Sequence, residues 1–173
     1  MEGSCQELYS AWYAMLFLYT KCNLTMSSDK LIAVSGLADD IKHELLQREP
    51  NQFHRYLAGL WLDDILQGLC WSRHMPERIG ERSPIYRAPS WSWASVDGPK
   101  MHKLNWPDAR LMPLIDKEWI SASTQYYGTL ETGQVMGGRL EIRGFWIRVH
   151  IASPVADSYD GTIQYFSLSL IHI

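Results

Sequence analysis

The first third of the chain has the apolar spacing of amphipathic helices. Apolar and aromatic side chains recur at steps of three and four from residue 8 onward, which predicts a helix that ends near Lys21. A second stripe of the same spacing predicts another helix, which Pro50 ends. We expect Ser27 or Ser28 to cap this second helix, with Asp29 in its first turn. The two predicted stripes are Leu8, Trp12, Met15, Leu16 and Tyr19, and Val34, Leu37, Ala38, Ile41 and Leu45.

A third helix is predicted after a short polar link, and the chain then changes its pattern. The third helical stripe consists of Trp61, Leu62, Ile65, Leu66 and Leu69. The stretch 72–83 follows it and carries a proline, a glycine and several charged residues, which is typical of a loop. We expect the boundary between a helical and a β-rich segment at this loop.

The stretch 86–96 alternates in the way of a strand. Trp91 and Trp93 are two residues apart and would share one face, whereas small residues occupy the other. Pro89 indicates that this strand lies at an edge or begins with a bend. Asp97 and Gly98, followed by a proline, predict a turn.

Glycines and alternation predict further strands downstream. A strand is expected near 111–115, and four glycines at 128, 133, 137 and 138 indicate a hairpin region. A strand is then expected from Arg139 to about Ile151, with a β-bulge at Gly144, where the apolar phase changes.

Together these patterns predict an α+β fold in which about three helices precede a mainly antiparallel β-rich segment. Residues 1–75 form the helical segment and residues 84–152 the β-rich segment. The tail 153–173 ends in a string that resembles a translated sequencing-adaptor read-through, so no function is inferred from it.

Composition and charge narrow the class of protein. The 173 residues are 46% hydrophobic and 20% charged, which is typical of a globular chain. The net charge is −3 with mixed signs along the chain, so neither nucleic acid nor an anionic membrane is the expected partner. Eight tryptophans are the unusual feature.

The cysteines and histidines predict no disulfide, metal or cofactor site. Cys5, Cys22 and Cys70 are odd in number and have no metal-ligand spacing, so we expect reduced thiols in a cytoplasmic protein. The apolar stretch 14–18 is far shorter than a membrane span.

Two kinds of chemistry stay open from the residues alone. Cys70 and His74 are four apart and could pair as thiolate and imidazole in a small hydrolase or transferase, although no third group is supplied. Trp91 and Trp93 could form an aromatic binding platform, or they could join the helices to the sheet as part of the core. Arg87 shares their strand parity and could stack on an indole or pair with a helix carboxylate.

The string RAPSWSWAS at residues 87–95, followed by Asp97 and Gly98, resembles a signature of fungal heterokaryon-incompatibility (HET) domain proteins. The order of the strings Leu24–Thr25, Asp29–Ala38, Tyr56–Trp61 and Leu69–Trp71 is similar to the succession in those proteins. The resemblance spans roughly residues 8–150 and is most specific at RAPSWSWAS. The residues that carry it are Arg87, Pro89, Trp91, Trp93, Asp97, Gly98, Trp61 and Trp71.

This resemblance implies a role in fungal allorecognition, in which incompatible partners trigger programmed cell death. The HET domain's own motifs have no counterpart in this chain, which therefore looks like the C-terminal portion of a HET protein. No catalytic residue is carried over. The resemblance implies a non-catalytic structural or partner-recognition region, whose partner is another protein or the HET domain.

Overall fold

The computed structural model describes residues 4–22, 24–73, 85–102 and 117–143. In these ranges three α-helices and three two-stranded antiparallel sheets form an α+β fold, as the sequence predicts. The helices are α1 (Cys5–Tyr19), α2 (Lys30–Arg48) and α3 (Ile65–Leu69). The paired strands are β1 (Tyr56–Leu57) with β2 (Leu60–Trp61), β3 (Trp71–Arg73) with β4 (Lys100–His102), and β5 (Ile120–Tyr126) with β6 (Val135–Ile142).

Helices α1 and α2 bury the faces that their apolar spacing predicts, with one exception. Trp12 and Leu16 of α1 and Val34, Ala38 and Leu45 of α2 are buried. Leu37 is 49% exposed, so it lies outside the buried stripe to which the spacing assigned it.

The predicted serine cap of α2 is wrong. Residues Ser27–Asp29 form a short 3-10 turn, after which α2 begins at Lys30 without a side-chain cap. The Ser28 hydroxyl donates to the Asp29 carboxylate at 2.9 Å, and it is therefore engaged with its neighbour rather than with the helix end.

The predicted third helical segment is confirmed from Leu62 to Leu69, but Trp61, the first residue of its predicted stripe, belongs to a β-hairpin. Leu57 pairs with Leu60 across a two-residue turn, and Trp61 belongs to strand β2 rather than to a helix. Both turn residues have positive φ, 48° at Ala58 and 98° at Gly59, as the two-residue hairpin turn that matches strand twist requires. Helical structure begins only with the 3-10 turn Leu62–Asp64 and continues as α3.

The strand predicted over 86–96 is also wrong. Its second half is a turn followed by the 3-10 helix Trp93–Ser95, because serine side chains and local backbone groups bond to one another there. The Ser92 hydroxyl oxygen accepts from the Ala94 amide at 3.1 Å, and the Ser95 hydroxyl donates to the Ser92 carbonyl at 2.8 Å. We call residues 86–98 the tryptophan loop.

The glycine-punctuated hairpin is confirmed as β5–β6. Gly128 and Gly133 lie in its connection, and Gly137 and Gly138 lie within β6. Residues 72 and 73, predicted as loop, belong to strand β3. The predicted strand near 111–115, the bulge at Gly144 and most of the boundary loop lie outside the described residues.

Candidate functional site

The tryptophan loop contacts the β1–β2 hairpin through one carbonyl group. The main-chain oxygen of Gly59 accepts the indole N–H of Trp93 at 2.9 Å and that of Trp12 at 3.1 Å. All three residues are buried, so two indole donors from distant segments are satisfied by a single turn. The adjacent carbonyl, that of Ala58, accepts the Ser92 hydroxyl at 2.6 Å.

Gly59 has two separate reasons to be glycine. Its φ of 98° is in the region that disfavours side chains, and a Cβ placed on it would lie 2.3 Å from the Trp93 indole nitrogen. The turn and the indole therefore approach each other as closely as a glycine allows.

Arg87 is held inside the protein by three acceptors. It is 3% exposed, and its Nε donates to the Ala94 carbonyl at 2.6 Å. Its two terminal nitrogens reach the Asp97 carboxylate at 2.8 Å and the Ser27 carbonyl at 3.4 Å. The guanidinium therefore closes the tryptophan loop on itself and ties it to the segment that precedes α2.

Lys30 at the start of α2 shares the same carboxylate. Its Nζ lies 2.6 Å from Asp97 Oδ1 and 3.1 Å from the Val96 carbonyl. Burial alone would raise the pKa of Asp97, but hydrogen bonds from Lys30 and Arg87 outweigh it and hold that pKa below the usual value. Burial lowers the pKa of Lys30, and the bond to Asp97 opposes that shift only in part.

Lys100 is a third cation beside the Asp97–Gly98 turn. It is fully buried, and its Nζ donates to the carbonyls of Asp97 at 2.9 Å and of Gly98 at 2.6 Å. Its backbone amide donates to the Thr20 hydroxyl at the end of α1. The turn predicted at Asp97 and Gly98, where Gly98 has a φ of 87°, is thereby attached to α1 as well as to α2.

The other half of the tryptophan loop packs on the β5–β6 hairpin. A Cβ placed on Gly138 would lie 2.7 Å from the Pro89 ring and 3.0 Å from the Trp91 indole. The Trp91 carbonyl in turn accepts the indole N–H of Trp71 on β3 at 3.0 Å. Pro89, Trp91 and Trp71 therefore form one packed contact between the loop and two sheets.

Trp61 belongs to a neighbouring aromatic cluster. Its ring meets Trp12 at a centroid distance of 5.9 Å and Tyr56 at 5.1 Å, both in edge-to-face geometry. Trp12 links this cluster to the tryptophan loop through the shared Gly59 carbonyl. A further ring contact joins α1 to the tryptophan loop, because the rings of Tyr19 and Trp93 lie edge-to-face with centroids 6.0 Å apart.

Of the eight residues singled out from the sequence, Arg87, Pro89, Trp91, Trp93 and Trp71 lie in the packed contacts of the tryptophan loop. Trp61 lies in the neighbouring aromatic cluster, the Asp97 side chain is 46% exposed, and Gly98 is exposed. Arg87 and Asp97 pair with each other, and Asp97 also pairs with Lys30. The predicted alternatives for Arg87 were an indole or a helix carboxylate, and its partner is instead the carboxylate of Asp97, near the end of the same loop.

Sequence reasoning missed the partners of the loop. Gly59, Gly138, Lys30 and Lys100 supply the groups that the motif residues contact, yet none was a candidate. A signal existed for Gly59, since an Ala-Gly pair between two apolar pairs fits a two-residue hairpin turn. No local pattern identifies the other three.

The thiol–imidazole alternative receives no support from Cys70. Burial and the nearby Asp64 charge raise the pKa of its thiol, and its Sγ donates to the Leu66 carbonyl at 3.2 Å. A nucleophilic cysteine needs the opposite shift. His74 lies outside the described residues.

An exposed platform of two indoles is not present in the tryptophan loop. Trp93 has no exposed surface, and Trp91 is partly buried against β6. Trp91 and Trp93 therefore lie in the contacts between helices and strands, which is the second of the two roles considered from the sequence.

Within residues 4–22, 24–73, 85–102 and 117–143, no group of three or more His, Cys, Asp or Glu side chains is arranged to hold a metal ion. In the same ranges no helix has the length and apolar character needed to cross a membrane.

Comparisons with known proteins add no relative. No protein-family model, no curated protein and no solved structure matches this chain.

Proposed function

We propose that this chain is a non-catalytic region of a HET-type protein of fungal allorecognition, and that its RAPSWSWAS string is an internal structural element that holds a partner-binding surface in shape. The resemblance in the order of the strings supports the family. The structural role has its own support, which is independent of the family.

The observation that carries this proposal is the direction of the motif's polar groups. The guanidinium of Arg87, the hydroxyl of Ser92 and the indole N–H of Trp93 all donate to acceptors inside the protein. These three donors are used internally, whereas the buried indole nitrogen of Trp91 has no hydrogen-bond partner among the described residues. The specificity of the motif is better explained by the elements it joins, which are α1, the turn before α2, the β1–β2 hairpin, β3 and β6.

A partner-binding surface is supported by α2. Ile32 and Leu37 expose 46% and 49% of their surface on this helix, and Gly36 lies between them with no atom within 4 Å of a Cβ placed on it. In the proposed function this face contacts the HET effector domain, and the programmed cell death response belongs to that domain. Free Cys5, Cys22 and Cys70 agree with a reducing, cytoplasmic location.

The test supplies the effector domain as a separate polypeptide. The effector domain is taken from a HET protein that carries the same RAPSWSWAS string, and it is co-expressed with this chain in a filamentous fungus. We expect no growth arrest from the chain alone and co-purification of the two polypeptides. Leu37→Asp should reduce the co-purified amount at least about tenfold, whereas Gln47→Asp, an exposed change on the same helix, should not.

Two outcomes would overturn the proposal. Growth arrest caused by the chain alone would show that it has effector activity of its own. Equal co-purification with Leu37→Asp and wild-type chain, or none with either, would remove the proposed partner surface.

A further inference from the structure

The β5–β6 hairpin has one covered edge and one edge that pairs with no other described strand. Within residues 4–22, 24–73, 85–102 and 117–143, β6 pairs with β5 alone. The edge of β5 is covered, because Arg55 donates to the Ala122 carbonyl at 3.0 Å and the Tyr126 hydroxyl donates to the Tyr56 carbonyl at 3.0 Å. An open strand edge presents N–H and C=O groups with which a further strand can pair.

The hydrogen-bond pattern shows which groups of β6 face its open edge. The Arg143 amide donates to the Trp119 carbonyl at 2.9 Å, one step beyond the last strand pair of the hairpin. Hydrogen-bonded and non-hydrogen-bonded pairs alternate along an antiparallel ladder. The main-chain groups of Gly138, Leu140 and Ile142 therefore point away from β5, toward the open edge.

The two faces of β6 differ in polarity. Leu140 and Ile142 pack against the hydrophobic core. Arg139 and Glu141 lie on the opposite face and pair with each other, with side chains that are 70% and 40% exposed. A strand added at the open edge would therefore continue one apolar face and one charged face.

The order of the two charges is complementary to itself in an antiparallel pair. When two copies of β6 are aligned about Leu140, Arg139 of each copy lies opposite Glu141 of the other. These are non-hydrogen-bonded pairs, in which side chains approach most closely, and opposite charges stabilise them. Alignment about Arg139 or about Glu141 would instead place like charges opposite each other, which is destabilising.

The same alignment also fits the main chain. It places Leu140 opposite the Leu140 of the second copy, and Gly138 opposite Ile142. These are the residues whose N–H and C=O groups point to the open edge, so the hydrogen-bond pattern and the charges select one register. Charged side chains at an edge usually prevent pairing with a second copy, whereas this pair of opposite signs favours it.

We propose that the open edge of β6 is a self-association site, at which two copies of this chain join as an antiparallel sheet centred on Leu140. The two β5–β6 hairpins then form one four-stranded sheet, with Arg139 and Glu141 paired across the junction in both directions. The site is separate from the α2 face to which the proposed function assigns the effector domain. The edge is short and buries little surface, so we expect a dissociation constant of about 10–100 μM.

Sedimentation velocity of the full chain alone, from about 1 to about 300 μM, tests the proposal. The wild-type chain should change from monomer to dimer over this range. Arg139→Glu places two glutamates opposite each other at each pair, and Glu141→Arg places two arginines there. Each single variant should weaken association at least about tenfold, and the double variant with both changes should recover it to within about threefold.

Mixing the two single variants gives a sharper result. A chain with two glutamates complements a chain with two arginines in the proposed register, so the mixture should form heterodimers although neither variant dimerises well alone. Lys42→Glu and Glu131→Lys are the matched controls, because they make the same changes in net charge at another ion pair. They should leave the dissociation constant within about twofold of the wild-type value.

Three results would overturn the proposal. The first is a wild-type chain that stays monomeric over the whole range, and the second is a single reversal at 139 or 141 that associates like the wild type. The third is a double variant that stays monomeric while its circular dichroism matches that of the wild type. None of these measurements contains an effector domain, so their outcome is independent of the proposed function.

Discussion

The indole nitrogen of Trp93 lies 2.9 Å from the main-chain oxygen of Gly59, 34 residues earlier in the chain. The same oxygen accepts the Trp12 indole, so α1, the β1–β2 hairpin and the tryptophan loop meet at one atom. This meeting point and the ion pairs of Asp97 with Lys30 and Arg87 hold the elements together.

Alanine substitutions at three glycines distinguish the effect of close packing on stability from that of backbone strain. Gly59→Ala should lower the free energy of unfolding by at least about 3 kcal/mol, since it combines a positive φ with a contact of 2.3 Å to Trp93. Gly98→Ala has only the positive φ and open space, and it should cost about 1–2 kcal/mol. Gly36→Ala has neither and lies inside α2, so it should stabilise by about 0.5–1 kcal/mol. Urea titration of the three variants measures this order, and a different order would contradict the account.

Arg87 should not be replaceable by lysine. A lysine keeps the charge but cannot reach the Ala94 carbonyl, Asp97 and the Ser27 carbonyl together. We expect Arg87→Lys to lower the free energy of unfolding by about 2–3 kcal/mol. Arg139→Lys, at an exposed pair with Glu141, should change it by less than about 0.5 kcal/mol. Similar losses for both variants in thermal or urea unfolding would show that the buried geometry of Arg87 is not important.

Acid should weaken the Asp97 cluster. The pKa of Asp97 is lowered in the folded protein, so its ion pairs contribute stability above the unfolded value of about 3.9. That contribution is lost as the pH falls through the lower folded value. Wild-type chain should therefore lose more stability than Asp97→Asn between about pH 6 and about pH 3. Urea midpoints measured at both pH values test this. Equal losses of stability in the wild type and Asp97→Asn would show that groups other than Asp97 cause the acid sensitivity.

The thiols should react in the order of their exposure and acidity. Cys22 is exposed, whereas burial raises the pKa of the Cys70 thiol. We expect a thiol reagent to label Cys22 at least about tenfold faster than Cys70 in the folded chain. Mass spectrometry of digested samples gives both rates, and Cys22→Ser confirms the assignment. Rapid labelling of Cys70 would revive the thiol-dependent alternative.

The sequence predicted the elements that rest on local patterns. Helix α1 and the β5–β6 hairpin were predictable because apolar spacing and glycine positions define them locally. The β1–β2 hairpin was not, because the short apolar run at residues 60–62 fits a helix and a strand equally well. The tryptophan loop alternates like a strand, but its serine side chains bond to the nearby backbone instead.

Only the motif residues of the candidate site were predictable from the sequence, and their partners were not. A specific string drew attention to Arg87, Trp93 and Asp97, but their partners lie far along the chain. Lys30 precedes Asp97 by 67 residues, and periodicity carries no information about such pairs.

The free energy of unfolding of Trp93→Phe, compared with that of Trp119→Phe, tests the structural role of the motif most directly. Phenylalanine at position 93 removes the donor to Gly59 and part of a fully buried ring. We expect a loss of about 2–3 kcal/mol there and less than about 0.5 kcal/mol at Trp119, which is 39% exposed. A Trp93→Phe chain as stable as the wild type would contradict the account.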